Sequence, residues 1–131
     1  MLPINLFFDS SALIAGIISD KGAARALLLL AEDRKLKISV SEQVIVEVER
    51  NIARKLPKIL PLAREMIRES NLIIYKDPSK DEVREHKNWI DHEADVPILV
   101  SAVKANVDFL VTLNTKHFLN DPQVTFLSGL K

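Results

Sequence analysis

The chain has 131 residues, 47% of them hydrophobic, with eighteen acidic and eighteen basic side chains and no cysteine. Such a length fits a single domain over residues 1–131 with one sizeable core. A balanced charge excludes a general positive field, so any nucleic-acid contact must come from a local basic stripe. The lack of Cys excludes a disulfide framework and thiolate metal sites. No apolar run is long enough to span a bilayer, so a cytoplasmic protein without a membrane partner is expected. Only three glycines argue against a Gly-rich phosphate loop.

Ile4 to Phe8 reads as a buried strand that ends at Asp9, and Ser10 and Ser11 can cap a short helix, Ala12 to Ile18. Ala23 to Asp33 is strongly helical. Its Leu27 to Leu30 run is apolar on more than one side, which suggests a second contact surface besides the core. Lys37 to Val40 is a second strand. A helix begins near Ser41 and runs to about Lys55. Pro57 and Pro61 bracket a break, and Leu62 to Glu69 resumes as helix. Leu72 to Tyr75 is a third strand, and Asp77-Pro-Ser is a turn before a helix near Asp81 to Asn88. Pro97 fits a first helical turn, with Ile98, Leu99, Ala102 and Val103 at helical spacing behind it. Val107 to Val111 is a fourth strand, and Gln123 to Leu127 a last one. Strands alternating with helices predict a parallel sheet covered on both faces, with ligands beyond the carboxyl ends of its strands.

That rule directs attention to the acids after each strand. Asp9 reads equally well as a helix cap or as a site residue. Val44, Ile45, Val48 and Ile52 form an apolar stripe flanked by Glu47 on one side and Glu49 on the other, and spacing does not choose between them. Asp95 reads as a cap or as a carboxylate on an inward face. Asp91 and Glu93 read as solvated first-turn charges. If the first and fourth strands are neighbours, Asp9, Asp95 and Asn114 meet at one sheet edge, and the helix after the second strand can bring Glu47 there. Several carboxylates facing one another need a cation. Oxygen donors without Cys or His suit Mg²⁺ or Mn²⁺.

Phe7-Phe-Asp-Ser-Ser-Ala-Leu13, Ser41 to Arg50, Asp95 to Ala102 and Asp108 to Phe118 resemble, in order, the motifs of the PIN-domain family, small metal-dependent ribonucleases found in many prokaryotic toxin–antitoxin pairs. The resemblance spans the chain. It implies a three-layer α/β/α sandwich with a central parallel sheet ordered 3-2-1-4-5. It implies Mg²⁺ or Mn²⁺ at Asp9, Glu47 and Asp95, with the family's Glu falling on Glu47 and Ser11 orienting a water or a carboxylate. The substrate implied is single-stranded RNA, cut to a 5′-phosphate and a 3′-hydroxyl. An antitoxin protein and a homodimer or higher homo-oligomer are the partners implied. Asn114 stands where a fourth acid is frequent; it keeps a carbonyl donor but removes a charge, and Asp91 or Glu93 could compensate.

Arg50, Arg54 and Lys58 recur four apart, and Arg64 and Arg68 follow. Most read as a solvated face paired with Glu; the functional reading is a phosphate track toward Glu47, with Arg50 first and Arg54 next. Thr112 reads as structural and Trp89 as a cap on the core. His86, His92 and His117 share no spacing that would make a ligand set. A haloacid-dehalogenase-type phosphotransferase is disfavoured, because Ser11 stands where its second Asp would be. A PIN scaffold that binds RNA or a protein without cutting is the alternative that Asn114 keeps open.

Overall fold

A computed structural model describes residues 3–113. Its strands β1 (Asn5–Phe8), β2 (Lys37–Ser41), β3 (Ile73–Tyr75) and β4 (Phe109–Val111) form a parallel sheet in the order β3-β2-β1-β4. The expected order 3-2-1-4 is therefore met. Gln123 to Leu127, the expected fifth strand, lies outside the described residues, as do Asn114 and His117.

Helices α1 (Ser10–Ile18) and α2 (Ala23–Glu32) link β1 to β2, α3 (Glu42–Lys55) and α4 (Leu60–Glu69) link β2 to β3, and α5 (Lys80–Glu85) and α6 (Val96–Lys104) precede β4. The chain steps outward from β1 to β3 and then crosses back past β1 to β4. With right-handed crossovers, that reversal puts α1 to α4 on one face and α5 and α6 on the other. The reversal lies between β1 and β2 on one side and β4 on the other, which is where the carboxyl edge opens.

The central strands carry the core. Phe7 and Phe8 of β1 and Ile38 and Val40 of β2 are fully buried, so both faces of the sheet are covered. On α3, Val44, Val48 and Ile52 are buried, three of the four positions of the expected stripe; Ile45 is half-buried. Pro57 opens a 3₁₀ turn, Pro57–Ile59, because a ring that lacks an N–H can start a turn but not continue α3. α2 divides as its composition suggests: Leu28 and Ala31 enter the core, while Leu29 and Leu30 are exposed. Gly16 lets α1 approach α2, since a Cβ there would lie 2.6 Å from Leu28 Cδ1. α5 ends at Glu85, earlier than the expected Asn88; a capping box between Ser79 and Glu82 starts it. No helix among the described residues is long and apolar enough to cross a membrane.

Candidate functional site at the carboxyl edge of the sheet

β1 delivers Asp9 to the edge and α1 begins one residue later, so this carboxylate is held by the turn between them. Asp9 is only 6% exposed. Its Oδ1 accepts from the backbone N–H of Ala12 at 2.9 Å and from the Ser11 hydroxyl at 2.7 Å. Its Oδ2 accepts from the hydroxyl of Thr112, the residue just after β4. Ser11 Oγ in turn accepts from the backbone N–H of Leu113 at 3.0 Å. Helix capping and a place at the sheet edge thus coincide in Asp9. Thr112, expected to be only structural, touches the same carboxylate. Burying a charge is tolerable where donors surround it, and here they come from two segments far apart in sequence.

Spacing could not separate Glu47 from Glu49, but their partners do. Glu49 Oε1 lies 2.7 Å from Arg64 Nε, an ion pair that fastens α3 to α4. Glu47 Oε1 instead accepts from the side-chain amide of Gln43 at 2.9 Å. Glu49 is neutralised by a cation; the partner of Glu47 is neutral.

Asp95 closes a short 3₁₀ turn, Glu93–Asp95, that leads into α6. Its side chain makes no capping hydrogen bond to α6, so a cap is not its role. Asp95 Oδ2 lies 3.3 Å from His92 Nδ1, and the Asp95 side chain is 17% exposed. Asp91 and Glu93 beside it are exposed.

Among the described residues, no group of three or more His, Cys, Asp or Glu side chains is placed to hold a metal ion. Of the candidate carboxylates, Asp9 accepts from Ser11 and Thr112, Glu47 in the second turn of α3 accepts from Gln43, and Asp95 lies beside His92. Uncompensated carboxylates repel, and a nearby donor is the cheaper partner. The donor chemistry still fits a hard divalent cation, since every candidate ligand offers carboxylate oxygen and none offers sulfur.

Arg50 and Arg54 are exposed on α3 beyond Glu47, and Arg54 reaches Asn51 Oδ1 at 3.4 Å. Arg64 and Arg68 form exposed ion pairs with Glu49 and Glu65. Trp89 packs against the core and makes an edge-on contact with His86, ring centres 4.2 Å apart.

The model of a family described as the PIN domain matches residues 5–116. Among solved structures, the chain is similar to VapC20 of Mycobacterium tuberculosis, a toxin described as cleaving the sarcin–ricin loop. The TM-score is 0.57 at 14% identity, covering 84% of this chain and 90% of that one. At that identity the likeness speaks for the fold. No curated protein matches the sequence at a significant level.

Proposed function

The chain belongs to the PIN-domain family, and from that premise we propose that it is a metal-dependent endoribonuclease acting on single-stranded RNA, the toxin of a toxin–antitoxin pair. One observation carries this reading. Asp9 is a buried carboxylate fixed by hydroxyls from two segments at the carboxyl edge of the sheet. A carboxylate kept there for capping alone would not need Thr112, because the N–H of Ala12 already satisfies the cap.

In this reading, Asp9 and Asp95 would hold Mg²⁺ or Mn²⁺, with Glu47 as a third oxygen donor or the holder of a water, and Asn114 would supply a carbonyl. A bound divalent ion supplies charge that polarises a phosphoryl oxygen and makes water a better nucleophile. Glu47, where it holds a water, would accept the proton of the attacking water, whose oxygen forms the new bond to phosphorus as the bond to the 3′ oxygen breaks, and the departing 3′ oxygen takes a proton from solvent. The products are a 5′-phosphate and a 3′-hydroxyl. Ser11 holds Asp9 in place, and Asp91 and Glu93 add negative charge around the ion. Arg50 and Arg54 bind backbone phosphates on the way to Glu47. An antitoxin protein and a second copy of the chain are the partners proposed, residues 1–131 the single domain, and the cytoplasm its place.

The test is cleavage of a mixed single-stranded RNA by the purified chain with Mn²⁺, against an EDTA control, and with Asp9→Asn. Cleavage that needs the metal and disappears in the variant is expected. Asn keeps the cap to Ala12, so the variant should fold. Full activity in Asp9→Asn would end this assignment. A second reading, a scaffold that binds RNA or protein without cutting, is favoured by the missing three-acid group among the described residues. Metal-independent RNA binding without cleavage by the wild-type chain would establish it.

A further inference from the structure

We infer that Gln43 is a positioning residue for Glu47, an inference that rests on Glu47 being part of the metal site. Gln43 and Glu47 are four apart on α3, one above the other on the same side of the helix. The Gln43 amide donates to Glu47 Oε1 at 2.9 Å, and both side chains are half-buried. Gln43 itself is anchored from outside the helix. Its backbone N–H donates to Asp77 Oδ1 at 2.8 Å, and the N–H of Asp77 donates to Glu42 Oε1 at 3.2 Å. Asp77, after β3, thus fastens the backbone of the first turn of α3 at the residue whose side-chain amide holds Glu47.

Two properties make this more than a surface pair. A lysine or arginine at the Gln43 position would hold Glu47 as firmly but would neutralise it and compete with a cation. A neutral amide fixes the rotamer and leaves the negative charge in place. It also occupies only Oε1, so Oε2 is left for a metal or its water. A free glutamate loses considerable rotamer entropy when it binds. Gln43 removes part of that loss before the ion arrives, as the partners of metal ligands generally do.

The test is Mn²⁺ titration calorimetry on the full chain, with thermal midpoints measured on the same metal-free samples. Gln43→Met keeps the length and the helix propensity and removes the donor. The expected result is an Mn²⁺ dissociation constant raised roughly 10-fold, with the metal-free midpoint unchanged. In a Glu47→Ala background, Gln43→Met should change nothing further. Unchanged affinity in Gln43→Met, or the same loss in both backgrounds, overturns the inference while leaving the nuclease reading intact. If Glu47→Ala binds Mn²⁺ as the wild type does, Glu47 is not part of the site and Gln43 has nothing to position. If the wild type binds no Mn²⁺ at all, the metal-dependent reading falls as well.

Discussion

Two aspartates tie β1 to β4, one at each end of the sheet, and they do so under opposite conditions. At the amino end, Asp108 Oδ2 accepts from the backbone N–H of Asn5 at 2.8 Å, and the N–H of Asp108 donates to Asn5 O at 2.7 Å. Asp108 is exposed. At the carboxyl end, Asp9 is buried and surrounded by hydroxyls. The amino end also collects the turns by which helices leave for strands. Arg34, Asn71 and Asn106 follow α2, α4 and α6 there, all with positive φ. Asn tolerates that conformation well, and Arg34 is the costlier choice. The difference teaches what each end is for. Asp108 is needed for one backbone donor and leaves its charge to water. Asp9 is a buried carboxylate where strands and helix starts converge, held by donors from both β1–α1 and the end of β4.

The largest expected effect breaks the symmetry directly. Asp9→Asn should lower RNA cleavage more than about 100-fold, whereas Asp108→Asn should leave it near the wild-type rate. Single-turnover cleavage at fixed Mn²⁺ measures both. Similar losses from the two variants would mean that Asp9 acts by holding the strands together, as Asp108 does.

The next effect sharpens the comparison in stability. Thr112→Val removes a hydroxyl from the buried Asp9 and should cost about 1–3 kcal/mol, since the carboxylate loses a partner. At the other end, Ser39 Oγ donates to Asn5 Oδ1 at 2.8 Å within the sheet. Ser39→Ala should cost only about 0.5–1.5 kcal/mol, because both groups there are neutral. Urea unfolding of the metal-free chain would rank them, and the reverse order would show that the Asp9 cluster is no more demanding than an ordinary core hydrogen bond.

Much of this was legible in sequence, and the gaps have physical causes. An apolar strand broken by Asp9 marks the edge because burial and a following helix start are both local signals. Alternation of strands and helices predicts the parallel sheet, while its order comes from the family resemblance, since right-handed connections alone permit several orders. The different surroundings of Glu47 and Glu49 were not legible in the helical wheel, because the partner of Glu49, Arg64, comes from α4. Gln43 left a trace, an amide four residues before the Glu, but its anchor at Asp77 is tertiary. Spacing reports where backbones go and not which donor a carboxylate finds first, so the partners of Asp9, Glu47 and Asp95 could not be named from sequence. The contact of Thr112 with Asp9 was not legible for the same reason: it crosses between neighbouring strands, and nothing adjacent to it in sequence announces it.

A smaller effect distinguishes the two kinds of arginine on the α3–α4 side. Arg50→Ala should weaken RNA binding and reduce the slope of log affinity against log salt by about 0.7 for a single-strand phosphate contact. Arg64→Ala should leave that slope alone and cost up to about 1 kcal/mol of stability, since it frees Glu49 at an exposed ion pair. Equal salt slopes in the wild type and Arg50→Ala would remove Arg50 from the phosphate track.

The smallest effect concerns an exposed carboxylate, the same class as Asp108, and it can be read by titration. The Lys104 ammonium, 2.7 Å from Glu82 Oε2, holds the Glu82 carboxyl below its ordinary value, and the backbone N–H of Ser79 adds to this. A carboxyl whose pKa is lower folded than unfolded stabilises the fold above its unfolded value, and that contribution is lost as the pH falls through the folded one. Glu82→Gln should therefore melt slightly below the wild type at neutral pH, and the gap should close as the pH drops below about 4. The pair joins α5 to the end of α6, away from Asp9, so Mn²⁺ should leave the gap unchanged. If Mn²⁺ widened it, the face carrying α5 and α6 would be coupled to the carboxyl edge, and Asp95 at the start of α6 would be the element through which that coupling runs.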